Sequence, residues 1–169
     1  ERDQFENVRW PNEGYVTEIA NPITSDHTLL RQYILPSLLR LLAANRHHEL
    51  PQRVYELGDV IRDSKNFLRA AWACAEVGSG FTSSKGIVQA LLRDMGAIHD
   101  DVEFRPTDAE DGPWISGRGS HVFIQDEKIG EFGEIDPKVS AFFGIKSPIQ
   151  AGEIDLETIY RIIPDPVSY

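Results

Sequence analysis

Five histidines, one cysteine and several acidic clusters are the side chains of this 169-residue chain with types suited to ligating a metal, attacking a carbonyl or moving a proton. His47 and His48 are adjacent at the end of a helix-forming run, so their rings diverge and cannot share a metal. His27, His99 and His121 stand at no ligand spacing. Cys74, mid-strand in "AWACAEV", reads as a small core residue rather than a nucleophile. Asp108, Glu110 and Asp111 form an acidic turn which, with "HDDVEF" and "GEFGEID", reads as solvated surface. These residue types point to no metal site and no catalytic residue.

The elements that must position any site are clearer. "YVTEIANP" alternates apolar and polar residues and predicts a strand ending at Pro22, after an extended lead-in over 1–14. Ser25 or Asp26 offers a cap to a helix starting near His27. In "LLRQYILPSLLRLLAAN", Pro36 removes a backbone donor and suits the first turn of a second helix. Leu35, Leu38, Leu39 and Leu42 give that helix an apolar stripe. "QRVYELGDVI" and "NFLRAAWACAEVG" predict a hairpin around the loop "RDSK". "SSKGIVQALLRDMG" predicts a helix capped by Ser83 or Ser84, with Ile87, Leu91 and Met95 on one stripe and Gly96 as its stop. "DVEFRPT", "GSHVFIQ" and "KIGEFGEI" predict strands, with a tight turn at "DEK". "DPKVSAFFG" predicts a short helix capped by Asp136, and "IQAGEIDL" a last strand. Trp72, Phe142 and Phe143 read as core. The fold class is therefore α+β, a mostly antiparallel sheet flanked by helices.

The composition, 41% hydrophobic and 26% charged, is that of a soluble globular domain. A net charge of −10 argues against the domain as a whole gripping a nucleic-acid backbone, and leaves room for a local basic patch. A lone cysteine fits a reducing, cytoplasmic setting, and no apolar run nears the roughly 20 residues of a membrane span. A start at Glu1 with one internal methionine, Met95, makes a segment of a longer protein the expectation.

Four blocks carry a resemblance. They are "NPITSDHTLLRQYILPSLLRLLAANRHHELPQRVYELGDVI", "SSKGIVQALLRDMG", "GRGSHVFIQDEKIGEFGEIDPKV" and the closing "GEIDL". In this order, from about Tyr15 to the end, the chain resembles the β subunit of phenylalanyl-tRNA synthetase, of the archaeal and eukaryotic type. The resemblance implies a class II synthetase-like, non-catalytic core over 15–169. Its partner would be the catalytic α subunit, in an α2β2 heterotetramer that uses ATP, magnesium, phenylalanine and tRNA(Phe).

The resemblance also says where chemistry would be. The α subunit carries a Leu-Arg-Thr-His-x-Ser-Pro segment that holds substrate. Here it reads Leu30, Arg31, Gln32, Tyr33, Ile34, Leu35, Pro36, and Leu35 neither donates nor accepts a hydrogen bond through its side chain. Class II motif 2 ends in an arginine that clamps the ATP α-phosphate. Arg62 matches it in "GDVIRDS", whereas Asp59, Ile61 and Ser64 do not, and carboxylates at 59 or 63 would repel a triphosphate. Motif 3, a glycine-rich strand running into a helix, finds no match. "SGRGSHVFI" leads into a strand, and "AGEIDLETIYR" lacks the glycine pair. The expectation is a domain with no catalytic residue, no cofactor and no metal of its own, with Arg62 the one candidate for nucleotide. The motif 1-like strand at Val16, Ile19 and Pro22, with Arg31, is the candidate subunit interface. Two other readings stay open: a degenerate domain that still binds ATP through Arg62, and a freestanding regulatory paralogue.

Overall fold

The computed structural model describes residues 8–11, 31–78, 80–108 and 111–163. Helix α1 (Leu35–Ala44) leads into strands β1 (Gln52–Arg62) and β2 (Lys65–Ala75). Helix α2 (Phe81–Asp94) and a 3-10 turn (His99–Asp101) precede β3 (Val102–Pro106), β4 (Trp114–Ile124) and β5 (Glu127–Ile135). Helix α3 (Pro137–Phe142), β6 (Ile149–Asp155) and α4 (Leu156–Ile162) complete the order. The six strands form one sheet in the order β1-β2-β6-β5-β4-β3, every neighbouring pair antiparallel.

Side chains alternate across a strand, so β2 feeds two cores. Ala71, Ala73 and Ala75 face the core that contains α1's Leu35, Leu38, Leu39 and Leu42. Trp72 and Cys74 face the other, with Val88 and Leu92 of α2 and Leu156 and Ile159 of α4. Small alanines let α1 approach closely on one side while an indole fills the other. Gly152 on β6 serves the same indole, since a Cβ there would collide with the Trp72 ring.

The expected elements are present where residues are described, with several differences. Strand β4 begins at Trp114, five residues before the expected "GSHVFIQ", and the β4–β5 turn is Gln125–Asp126 rather than "DEK". The β1–β2 loop is not the four residues of "RDSK" but two, Asp63 and Ser64, both at positive φ (48° and 61°). That is the type I′ geometry that matches strand twist, so pairing continues to Arg62 and Lys65. Helix α2 starts at Phe81, and Ser84 is not its cap. Ser84 is fully buried, and its hydroxyl bonds to Gln150 on β6. Phe142 is 72% exposed rather than core. A helix, α4, follows the last strand directly, its first turn capped by Asp155 accepting from the Thr158 amide at 3.1 Å. The expected strand ending at Pro22, the helix near His27 and most of the 1–14 lead-in lie outside the described residues.

Candidate functional site

The segment before α1 lies on the sheet face that carries the alanines. Its carbonyls and amides are committed to neighbours. The Arg31 carbonyl accepts from the Ile61 amide at 2.8 Å, and Arg31 Nε donates to the Asp59 carbonyl at 3.0 Å. The Arg31 guanidinium pairs with Glu56 at 2.6 Å. It crosses over Gly58, where a Cβ would come within 2.6 Å of Arg31 Nη2. Arg31 thus fastens the segment to β1.

Farther in, Gln32, Tyr33 and Leu35 are buried. These occupy the positions that the α-subunit pattern gives to threonine, histidine and serine. The Tyr33 hydroxyl donates to the Pro11 carbonyl at 2.8 Å, and its ring packs on Trp10 at 4.8 Å. Two guanidiniums face the same ring, Arg62 at 5.3 Å and Arg69 at 5.7 Å.

Glu153, fully buried on β6, is the centre of this arrangement. Its Oε1 accepts from the amides of Ile34 and Leu35 at 2.8 and 2.7 Å, two of the donors that a helix N-terminus leaves unmet. Its Oε2 accepts from Arg69 Nε at 2.6 Å. A helix start and a buried guanidinium together make a place for an anion, and here the chain's own carboxylate fills it.

Beside it Glu131 accepts from Trp114 Nε1 at 3.0 Å and from Lys128 at 3.1 Å. His121 Nε2 is bonded to Asp111 at 2.9 Å. What remains open is a cleft of about 300 Å³ whose lining includes Arg62, Arg69 and Lys128 against Asp111, Glu131, Glu153 and Asp155. Carboxylates outnumber cations, so the cleft opposes a polyphosphate.

Arg62, the one nucleotide candidate, lies at this cleft, with its Nη2 donating to the Gln32 carbonyl at 3.3 Å and its guanidinium on Tyr33. Val16, Ile19 and Pro22 lie outside the described residues, whereas Arg31 is half-buried on β1. The strand-to-helix succession of β6 and α4 matches the topology sought for motif 3, but α4's Arg161 pairs with Glu127 at 2.7 Å. Cys74 is buried and free, and burial pushes its thiol up, so it stays protonated. Among the described residues no group of three or more potential ligands could hold a metal. Sequence reasoning missed Glu153 and Arg69. A glutamate amid the small and apolar "QAGEID", and an arginine on the inward parity of Ala71 and Ala73, were the available signals.

Comparison with known proteins identifies the frame. In solved structures, a pyrrolysyl-tRNA synthetase from Desulfitobacterium hafniense shares the fold, with a TM-score of 0.67 at 14% identity over 87% of this chain and 52% of that one. Phenylalanine–tRNA ligase β subunits are relatives in sequence. That of Methanococcoides burtonii is 38% identical over 83% of this chain and 25% of its own length. That of Archaeoglobus fulgidus is 36% identical over 89% and 26%. That of Pyrococcus furiosus is 39% identical over 94% and 29%. The chain thus spans about a quarter of the length of these relatives. A family model described as the phenylalanyl tRNA synthetase beta chain CLM domain matches residues 1–156, and the chain belongs to that family.

Proposed function

We propose that this chain is the class II-like, non-catalytic core of a phenylalanine–tRNA ligase β subunit. It acts by packing against the catalytic α subunit in a cytoplasmic α2β2 enzyme. ATP, magnesium and tRNA(Phe) are handled by that assembly, and no nucleotide site exists on this domain. Family membership supports the first part. The observation that carries the second is Glu153, which takes both the α1 N-terminus and Arg69 out of reach of any ligand anion. Arg62 alone, on Tyr33 in a cleft with an excess of carboxylates, does not amount to a phosphate clamp.

The test is titration calorimetry of the isolated chain with ATP and magnesium. No saturable heat is expected. A micromolar site that Arg62→Ala abolishes would overturn the proposal and restore the ATP-binding reading.

A further inference from the structure

The chain is strongly acidic, and its arginines are mostly matched to carboxylates. Arg9 pairs with Asp136, Arg53 with Glu76, Arg105 with Glu103 and Arg118 with Glu134, each within 3.0 Å. A concavity among the described residues departs from this pattern. It lies where the C-terminal end of α1 meets the loop after α3, holds about 400 Å³, and has Arg46, His47, His48 and Lys146 in its lining with no carboxylate. Glu49, the next residue, is exposed and outside the lining. Neither Arg46 nor Lys146 makes an ion pair with a described residue.

The fold holds this cluster in place. Gln52 at the start of β1 donates to the carbonyls of Asn45 and His48 at 2.8 and 2.9 Å, fixing the turn that presents Arg46 to His48. Opposite, Gly144 at φ +72° ends α3 and turns the chain towards Lys146, while Ile145 is anchored in the core. Leu42, Leu50 and Ile145 give the concavity an apolar side between the cations.

Cations in the lining and no opposing carboxylate are complementary to a nucleotide unit, with phosphates on Arg46 and Lys146 and a base face against the exposed imidazoles of His47 and His48. We infer that this concavity is a contact site for a single-stranded segment of RNA. The inference adds a surface to the reading above and rests on it only for taking the RNA to be the enzyme's tRNA.

The experiment uses the whole ligase with its partner subunit and labelled tRNA(Phe), with affinity read by fluorescence anisotropy across a salt series. Arg46→Ala/Lys146→Ala should weaken binding roughly tenfold and lower the salt slope by about 1.4, about 0.7 per lost single-strand phosphate contact. Lys65→Ala/Lys138→Ala, the same charge change at exposed sites elsewhere, should leave both unchanged. Subunit assembly, followed separately by gel filtration, should be normal in each, so a failure of the structural role shows there alone. Wild-type affinity and slope in the Arg46→Ala/Lys146→Ala enzyme would overturn the inference. So would lost assembly with RNA binding intact, which would assign the concavity to an acidic polypeptide.

Discussion

Glu131 and Glu153 stand directly opposite each other on β5 and β6, a like-charge pair that destabilises a sheet unless each carboxylate has its own partners. Each does: Trp114 and Lys128 for one, Arg69 and the α1 amides for the other. The arrangement stands or falls with its donors. Glu153→Ala removes the acceptor of two buried amides and of Arg69, which keeps Asp155 at 3.9 Å and the Tyr33 ring, and should cost about 3–5 kcal/mol in denaturant unfolding. Glu153→Gln, whose carbonyl can still accept from the amides, should cost less. Equal and small losses would mean that water reaches Arg69. None of this was legible in the sequence, because a buried carboxylate is recognised by what surrounds it and its donors come from positions 84 to 119 residues earlier. The departure from the Thr-His-x-Ser pattern at 32, 33 and 35 was legible, since Leu35 has no group to offer whatever the fold.

The elements obeyed local rules, and their boundaries show where those rules stop. The α1 stripe followed from periodicity, and Leu39 is fully buried as that stripe requires. Leu39→Ala should lose about 2–5 kcal/mol, against almost nothing for exposed His48→Ala, in matched thermal melts. The two-residue turn was missed because Asp63–Ser64 lacks the glycine that usually marks positive φ. Ser64→Gly should therefore raise stability by roughly 0.5–1 kcal/mol, the left-handed strain relieved less the extra backbone entropy that glycine loses, as read by thermal melts. Asp136 was read correctly as the α3 cap, accepting from the Lys138 amide at 2.9 Å. Burial pushes its carboxyl up, but that bond and Arg9 outweigh it, and the group lies below the usual aspartate range. A depressed carboxyl stabilises fully above its unfolded value and loses that contribution as pH falls through the folded one. Acid unfolding below about pH 4 should accordingly be less steep in Asp136→Asn. An unchanged acid limb would remove Asp136 from the account.

At the scale of the whole molecule, the proposed partner surface is the part that a single chain shows least. Arg31 ties the pre-α1 segment to edge strand β1, whose Tyr55 and Leu57 are 61% and 65% exposed. Ile19→Asp should abolish capture of the α subunit while leaving the melting midpoint unchanged, because an unpaired charge in an apolar interface is costly. Wild-type capture by a folded mutant would move the interface elsewhere. The antiparallel order of the sheet has one more consequence. β2 pairs with β6, and nearly half the chain's length separates Ala73 from its partner Ala151. The β1–β2 hairpin can form as soon as it is made, but both cores need β6, the last of the six described strands to be synthesised. On the ribosome the domain must therefore wait almost to its end before it closes, and a nascent chain stalled ahead of Ile149 would present its two unclosed apolar faces to chaperones.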